Sequence, residues 1–205
     1  MRKANINLKG LRKEIAKKGF PAFKAAAVPR IEKKLQQQVG NLLAAFEEHP
    51  VTKEIDAGPG SNNSSGTLGG YGNLFTFIGF ERGQDPISPI RSLLAKSIKV
   101  VSIRKKRNVL GLTLKFTVPT EEEIAAVSPL PWATGSWVEA VERGMSGVGR
   151  YLYSKNTGRF TTSRSGQAIE ASVDVRGSGS STPVTYITGL LAKMLKDIER
   201  SLKTL

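Results

Sequence analysis

Few residues in this chain have the types and spacing that acid–base or metal chemistry requires. The single histidine, His49, stands between Glu48 and Pro50. A Ser-His-Asp triad would have to use His49, and so would most zinc sites, because histidine supplies the base or a ligand in both. The proline that follows favours another interpretation, a solvated side chain at the frayed end of a helix. We therefore expect no catalytic role for His49.

The carboxylates occur at predicted helix ends and on predicted solvated helix faces, and these positions do not require a catalytic role. Glu139 and Glu142 lie one helical turn apart and could share a metal ion, but a solvated helix face is the interpretation that their surroundings favour. Cysteine is absent, which excludes disulfides, thiolate nucleophiles and Cys-type zinc sites and suits a reducing compartment. We predict that the chain is not an enzyme and has no catalytic residue, metal, cofactor or small-molecule substrate.

A glycine-rich segment at residues 58–70 has the composition of a phosphate-binding loop. Its glycines do not fall as GxxxxGK[ST], and no lysine follows them. A dinucleotide fingerprint would need a helix after the loop, whereas the apolar run at 74–80 predicts a strand. Composition therefore predicts a flexible loop over 58–72 that orders on assembly, and a second flexible loop over 176–182.

Basic residues are the strongest compositional feature, with 31 Lys and Arg against 17 Asp and Glu and a net charge of +14. Residues 1–40 hold eleven of these cations, and residues 91–107 hold seven with no acid. Clustered charge of one sign favours a polyanion or an acidic protein partner over the alternative of a merely solvated surface. The predicted contact residues for DNA or an acidic partner are Arg104, Lys105, Lys106 and Arg107.

A second candidate site combines aromatic side chains with cations near the middle of the chain. Aromatic residues anchor protein interfaces, and beside cations they can also stack on single-stranded bases. Core packing is the alternative for the two tryptophans. The predicted interface residues are Trp132, Trp137, Tyr151, Tyr153, Arg143 and Arg150.

Two amphipathic helices bracket the sequence that must position these residues. The first begins at Pro21 or Pro29 and ends near His49, after a basic arm over residues 1–20. The second is capped by Thr182, with Pro183 in its first turn. Residues 51–55 are predicted to be extended. The apolar stripes comprise Val28, Ile31, Leu35, Val39, Leu42, Leu43 and Phe46 in the first helix, and Ile187, Leu190, Leu191, Met194, Leu195, Ile198, Leu202 and Leu205 in the second.

The clearest strand signal lies between these helices. Residues 98–103 and 109–118 are β-branched or strictly alternating runs, separated by a polar turn that carries the four cations. They predict a long antiparallel hairpin with Arg104, Lys105, Lys106 and Arg107 at its tip. Short helices are predicted at 86–97, 121–126 and 132–144, and a strand at 169–175. The whole predicts a single α+β domain over 21–205, with an antiparallel sheet flanked by amphipathic N- and C-terminal helices.

Three segments together resemble the neck and tail-completion proteins of tailed bacteriophages. They are NLFTFIGFERGQDPISPI (73–90), the hairpin IKVVSIRKKRNVLGLTLKFTVP (98–119) and PWATGSWVEAVERGMSGVGRYLY (131–153), followed by the closing amphipathic helix. The similarity in layout covers about residues 30–200. The glycine-rich loop and the basic first 20 residues do not match the family.

The resemblance implies a structural virion protein of the head–tail junction. Such a subunit assembles into a homo-oligomeric ring between the connector and the tail, with other neck, connector and tail proteins as partners and DNA passing through its centre. It would reside in the virion and, during assembly, in the host cytoplasm, without membrane contact. Connector-side and tail-terminating roles both fit, and a sequence-independent nucleic-acid-binding protein is the alternative that the charge itself suggests.

Overall fold

The computed structural model describes residues 19–69, 72–105, 112–131, 133–145, 151–153, 168–170 and 181–202. Helices make up most of these residues, and the strands form two separate antiparallel pairs. This combination belongs to the α+β class, as the sequence predicts. Residues 1–18 of the predicted arm and most of the predicted loop at 176–182 lie outside the described residues.

Seven helices and four strands follow one another along the described chain. The helices are α1 (Phe20–Glu48), α2 (Pro50–Asp56), α3 (Leu74–Ile78), α4 (Ile87–Ser97), α5 (Glu121–Val127), α6 (Trp137–Arg143) and α7 (Ile187–Leu202). The strands are β1 (Val100–Lys105), β2 (Leu112–Phe116), β3 (Tyr151–Tyr153) and β4 (Ala168–Glu170), with a short 3-10 turn at Gly58–Gly60. Strand β1 pairs with β2, and β3 pairs with β4.

Helices α1 and α7 make the most extensive contact between two helices of the described chain. Ile31, Leu42 and Phe46 of α1 are buried, as the predicted stripe requires. Four stripe residues of α7 are buried as well: Ile187, Leu191, Met194 and Ile198. Near the C-terminal end of α7, the Lys34 ammonium of α1 donates a hydrogen bond to the Ser201 carbonyl. The 3.6-residue period therefore identifies both buried faces correctly.

The β1–β2 pair packs one face against the helices. Val100, Leu114 and Phe116 line a narrow apolar cleft with Ile31 and Ile198. The pairing shifts between Val100 and Ser102, because Val100 lies opposite Phe116 while Ser102 lies opposite Lys115. One residue, Val101, is thus extra on β1, which is the arrangement of a β-bulge. Residues 106–111, which include the predicted tip, lie outside the described residues.

Two short segments predicted as extended are helical, and both predictions are wrong. Residues 51–55 belong to α2, which begins at Pro50 after the N-cap His49. The run at 74–80 contains α3, which Asn73 caps by accepting a hydrogen bond from the Thr76 amide at 2.9 Å. Gly79 ends α3 with a left-handed φ of 90°. Capping residues thus decide structure where a short apolar run is ambiguous.

Helix boundaries differ from the predictions at three further places. Helix α1 begins at Phe20, one residue before the earlier predicted start at Pro21, and contains Pro29 in its interior. Helix α6 begins only at Trp137, because Ser136 caps it by accepting a hydrogen bond from the Glu139 amide at 3.3 Å. Helix α7 begins at Ile187, several residues after the predicted cap at Thr182. Helix α5 matches its prediction, with a capping box between Thr120 and Glu123.

Candidate interaction surfaces

The outer surface of the β1–β2 hairpin is basic, and we call it the basic face: Lys99, Val101, Arg104 and Lys115. All four residues are exposed. Since Leu114 and Phe116 point toward the helices, the alternating Lys115 points away from them. No Asp or Glu occurs anywhere between residues 86 and 120. The hairpin therefore presents cations outward on a helical support.

The predicted tip residues are only partly within this surface. Arg104 is exposed on β1. Lys105 ends β1, but its side chain lies outside the described residues, as do Lys106 and Arg107. The structure instead adds Lys99 and Lys115, which the sequence interpretation did not single out. Their signal was available, because both alternate with the buried positions of the two strands.

A cleft of about 200 Å³ lies between α5, α6 and the start of α7, and we call it the acidic cleft. Its wall includes the buried apolar side chains Ile124, Val138 and Ile187. Glu121, Glu139, Glu142, Arg143, Ala125, Ser136 and Thr188 complete the lining. Three carboxylates against one guanidinium make it acidic, which contrasts with the net charge of the chain.

Hydrogen bonds hold the carboxylate of Glu142 in the acidic cleft. Its Oε1 accepts from the amides of Tyr186 and Thr188 at 3.1 and 2.9 Å, and from the Thr188 hydroxyl at 3.0 Å. Glu142 therefore caps α7 from a neighbouring helix, where the helix dipole favours a negative charge. Glu139 forms an ion pair with Arg143 at 2.6 Å across one helical turn. An ion pair within α6 thus engages Glu139, and hydrogen bonds to the start of α7 engage Glu142.

The fold places the described residues of the predicted aromatic site in different environments, because Trp137 is buried and Arg143 is exposed. Trp137 is 1% exposed and packs edge-on against Phe80, with ring centroids 5.9 Å apart. The core-packing alternative therefore describes Trp137, and we do not place it in an interface. Arg143 is exposed on the acidic cleft. Trp132, Arg150 and the side chains of Tyr151 and Tyr153 lie outside the described residues, although the backbone of both tyrosines is in β3.

A second groove, of about 300 Å³, lies beside residues 127–131. It is lined mainly by apolar side chains and prolines: Phe80, Pro86, Pro89, Val127, Pro129, Leu130, Pro131 and Trp137, with Gln84 and Asp85. Asp85 is engaged in capping α4, since its Oδ1 accepts from the amides of Ile87 and Ser88 at 3.1 and 2.9 Å. Hydrogen bonds from Ser88 lower the pKa of this carboxyl group.

The glycine-rich loop surrounds a buried carboxylate that the sequence interpretation missed. Glu54 of α2 is 1% exposed. Its Oε1 accepts from the Asn63 side chain at 2.9 Å and from the Leu74 amide at 2.7 Å, while its Oε2 accepts from the Ser65 amide at 2.8 Å. Leu74 opens α3, so Glu54 also satisfies an amide at a helix start. The flexibility predicted for this loop stays a prediction, but its described part has defined partners.

His49 lies where α1, α2 and the segment before α7 meet. Its Nδ1 accepts from the Val51 amide at 3.3 Å, and its ring lies 4.8 Å from that of Tyr186. Burial lowers the pKa of His49, while a backbone hydrogen bond at Thr185 and the charge of Glu142 oppose that shift. The neutral imidazole is thus a structural cap in place of the solvated side chain expected at a frayed end.

The described residues contain no cluster of three or more His, Cys, Asp or Glu that could hold a metal ion. None of the helices in the described part combines the length and hydrophobicity needed to cross a bilayer.

Comparisons with models of protein families, with curated proteins and with solved structures find no match to this chain.

Proposed function

We propose that this protein is a structural subunit of the head–tail junction of a tailed bacteriophage, where it assembles into a ring between connector and tail. It acts by binding companions and not by catalysis. The observation that supports this most is the basic face, which a rigid helical body presents outward. Lys99, Arg104 and Lys115 have no ion-pair partner among the described residues, so they are available to an acidic partner or to passing DNA.

The hairpin is the central element of the proposal. We propose that β1 and β2 continue through residues 106–111 into the long hairpin predicted from the sequence, with α1 and α7 flanking it as terminal helices. The apolar cleft between hairpin and helices supports this, because it fixes the orientation of the outer face. Residues 20–30 of α1 include no buried residue and offer further contact surface to a neighbour.

Immunolabelling of purified virions tests the proposed location. An antibody against this chain, imaged in negative stain, is expected to label the junction between head and tail. Virions treated with pre-immune antibody serve as the control. Inactivation of the gene should leave filled heads and free tails unjoined. Label confined to another part of the particle, or joined particles that lack this chain, would contradict the proposal.

A second candidate function is sequence-independent binding of nucleic acid. The absence of acids from residue 86 to residue 120 favours it, because a stretch of one charge sign attracts phosphates. Each phosphate contact on duplex DNA would make log affinity fall by about 0.9 for each log unit of salt. A flat salt titration would count against this function.

One set of substitutions separates the two functions. Replacing Arg104, Lys105, Lys106 and Arg107 with alanine is expected to weaken assembly if the first function holds, and DNA affinity alone if the second holds. In the matched control variant, alanine replaces four exposed lysines elsewhere in the chain: Lys24, Lys33, Lys193 and Lys196. Fluorescence anisotropy with a labelled duplex and sedimentation of the same samples measure both effects. Equal losses in the two variants would show that net charge alone is responsible.

A further inference from the structure

We infer that the basic face of one copy docks into the acidic cleft of the next copy, with Val101 entering the cleft. The contact joins two different surfaces, so copies associate head to tail. This inference rests on the proposed ring function and names the two surfaces that would build the ring.

The basic face has an apolar centre. Val101 is 63% exposed and is the large hydrophobic residue that stands out as exposed among those described. It is the extra residue of the β-bulge, a feature that redirects a side chain away from the regular strand pattern. Lys99, Arg104 and Lys115 surround it along the two strands. A single apolar side chain among cations is a surface that an apolar pocket with acidic edges would complement.

The acidic cleft has this complementary composition. Its volume of about 200 Å³ is lined by the half-buried Ala125 and by Ile124 and Val138, whose small exposed surfaces offer an apolar contact to an entering valine. Glu121 and Glu139 are exposed at its edge, and because Glu139 is paired with Arg143, Glu121 is the exposed carboxylate of the cleft that has no ion-pair partner among the described residues. Apolar burial would stabilise the contact, and the charges would select the correct partner surface.

Helix α7 places the two surfaces near its two ends. Ile187 and Thr188, at its start, line the acidic cleft, while Ile198 and Ser201, near its end, line the cleft beneath the hairpin. At a rise of about 1.5 Å per residue, these residues lie roughly 15–20 Å apart along the helix. Within the described residues, no ion pair joins the two surfaces in one copy. A contact between unlike surfaces closes into a ring or continues as a filament.

Cysteine cross-linking tests the contact directly, because the chain contains no cysteine of its own. Val101→Cys is made in one preparation and Ala125→Cys in a second that carries a size tag, since Ala125 lines the cleft. Mild oxidation of the mixed preparations is expected to give the tagged–untagged dimer as the main product. Ala126→Cys replaces Ala125→Cys in the matched control, because Ala126 is exposed but lies off the cleft.

Charge reversal supplies the second arm of the experiment. Adding Arg104→Glu to the Val101→Cys chain, or Glu121→Lys to the Ala125→Cys chain, is expected to lower the dimer yield about fivefold through like-charge contact. Mixing the two reversed chains should restore it. All four positions are exposed or half-exposed, so circular dichroism is expected to show unchanged folding.

Two outcomes would overturn the inference. One is a yield with Ala126→Cys equal to that with Ala125→Cys, and the other is no recovery when both charges are reversed. Rings seen by electron microscopy without the Val101–Ala125 link would overturn this docking and leave the proposed function standing. Failure of the function itself is detected separately, by the location of the antibody label on virions.

Discussion

At the scale of single residues, the described core contains polar groups whose burial is offset by specific hydrogen bonds. The Tyr186 hydroxyl and Thr52 Oγ1 lie 2.7 Å apart in the interior, and burial raises the pKa of Tyr186. Glu54 is buried to a similar degree, but its charge makes the loss of a partner more costly. Single substitutions at such positions should therefore change stability more than those at the surface.

Replacing Glu54 with glutamine is expected to lower the free energy of unfolding by about 1–3 kcal/mol. Glutamine keeps one acceptor oxygen, but its NH₂ group would face the Ser65 amide. Both groups are donors, so the hydrogen bond from Ser65 would be lost. Urea denaturation followed by circular dichroism measures the change. Glu32→Gln is the matched control, because Glu32 is exposed on α1 and should leave stability unchanged. An equal effect of both substitutions would contradict the role given to Glu54.

The lowered pKa of His49 predicts how the stability of the folded protein depends on pH. Because burial lowers this pKa in the folded protein, folding favours the neutral imidazole. Its contribution to stability is therefore present above the unfolded pKa of about 6.5 and is lost as the pH falls through the folded pKa. Unfolding free energies measured from pH 7.5 down to pH 5 should fall more steeply for the wild type than for His49→Asn. Asparagine keeps a capping oxygen but does not titrate in this range, so parallel curves would contradict the prediction.

At the scale of elements, the end of α6 and the segment before α7 lie close together, at Gly144–Met145 and Ser181. Gly144 follows α6 with a φ of 79°, and a Cβ there would lie 2.9 Å from the Ser181 carbonyl oxygen. The Met145 amide donates to the Ser181 hydroxyl at 2.9 Å, so the two segments approach closely. Glu142, one turn earlier, caps α7. The position of α7 thus depends on the last turn of α6.

Two glycine-to-alanine substitutions are expected to have opposite effects on stability. Gly144→Ala should destabilise the protein by about 1–3 kcal/mol, because alanine rarely adopts this φ and its Cβ would collide with backbone. Gly40→Ala should stabilise it by about 0.5–1 kcal/mol, since Gly40 lies within α1 and a Cβ there meets no atom within 4 Å. Thermal denaturation of both variants tests this pair, and changes of the same sign would contradict it.

The elements that the sequence predicts well are those with a long periodic pattern. Helices α1 and α7 each carry a stripe over several turns, β1 is a β-branched run, and β2 alternates over enough residues to specify one face. Helix α3 was predicted wrongly because all five of its residues are buried, so its sequence shows no amphipathic period. Its signals were Asn73 as N-cap and Gly79 as the left-handed end. The acidic cleft could not be predicted, because it joins helices that are distant in sequence.

At the scale of the whole molecule, the charge differs between the surfaces near the two ends of α7. The described hairpin carries cations without acids, whereas the acidic cleft at the start of α7 collects three carboxylates. A net charge of +14 alone would oppose self-association, since identical copies repel one another. Local complementarity between unlike ends can overcome that repulsion at short range, where solvent and salt screen the distant charges.

Self-association of the protein is therefore expected to respond to salt in a characteristic way. If ion pairs between the basic face and the acidic cleft select the contact, raising salt from about 0.1 M to 1 M should weaken it, because the screening length falls from about 10 Å to about 3 Å. Sedimentation velocity at a series of salt concentrations measures this. Arg104→Ala should reduce the salt dependence, whereas Lys193→Ala, on the exposed side of α7, should not. Association that strengthens with salt would contradict the prediction.

The carboxylate of Glu54 ties the behaviour of the glycine-rich loop to that of α2. It accepts hydrogen bonds from residues 63, 65 and 74, so the loop can open only if a charge loses its partners in the interior. The amide protons of Ser65 and Leu74 should then exchange with deuterated solvent at similar rates, although 8 residues separate them, and Glu54→Gln should accelerate both together. One side chain would thereby set the opening frequency of a segment whose composition alone suggests free motion.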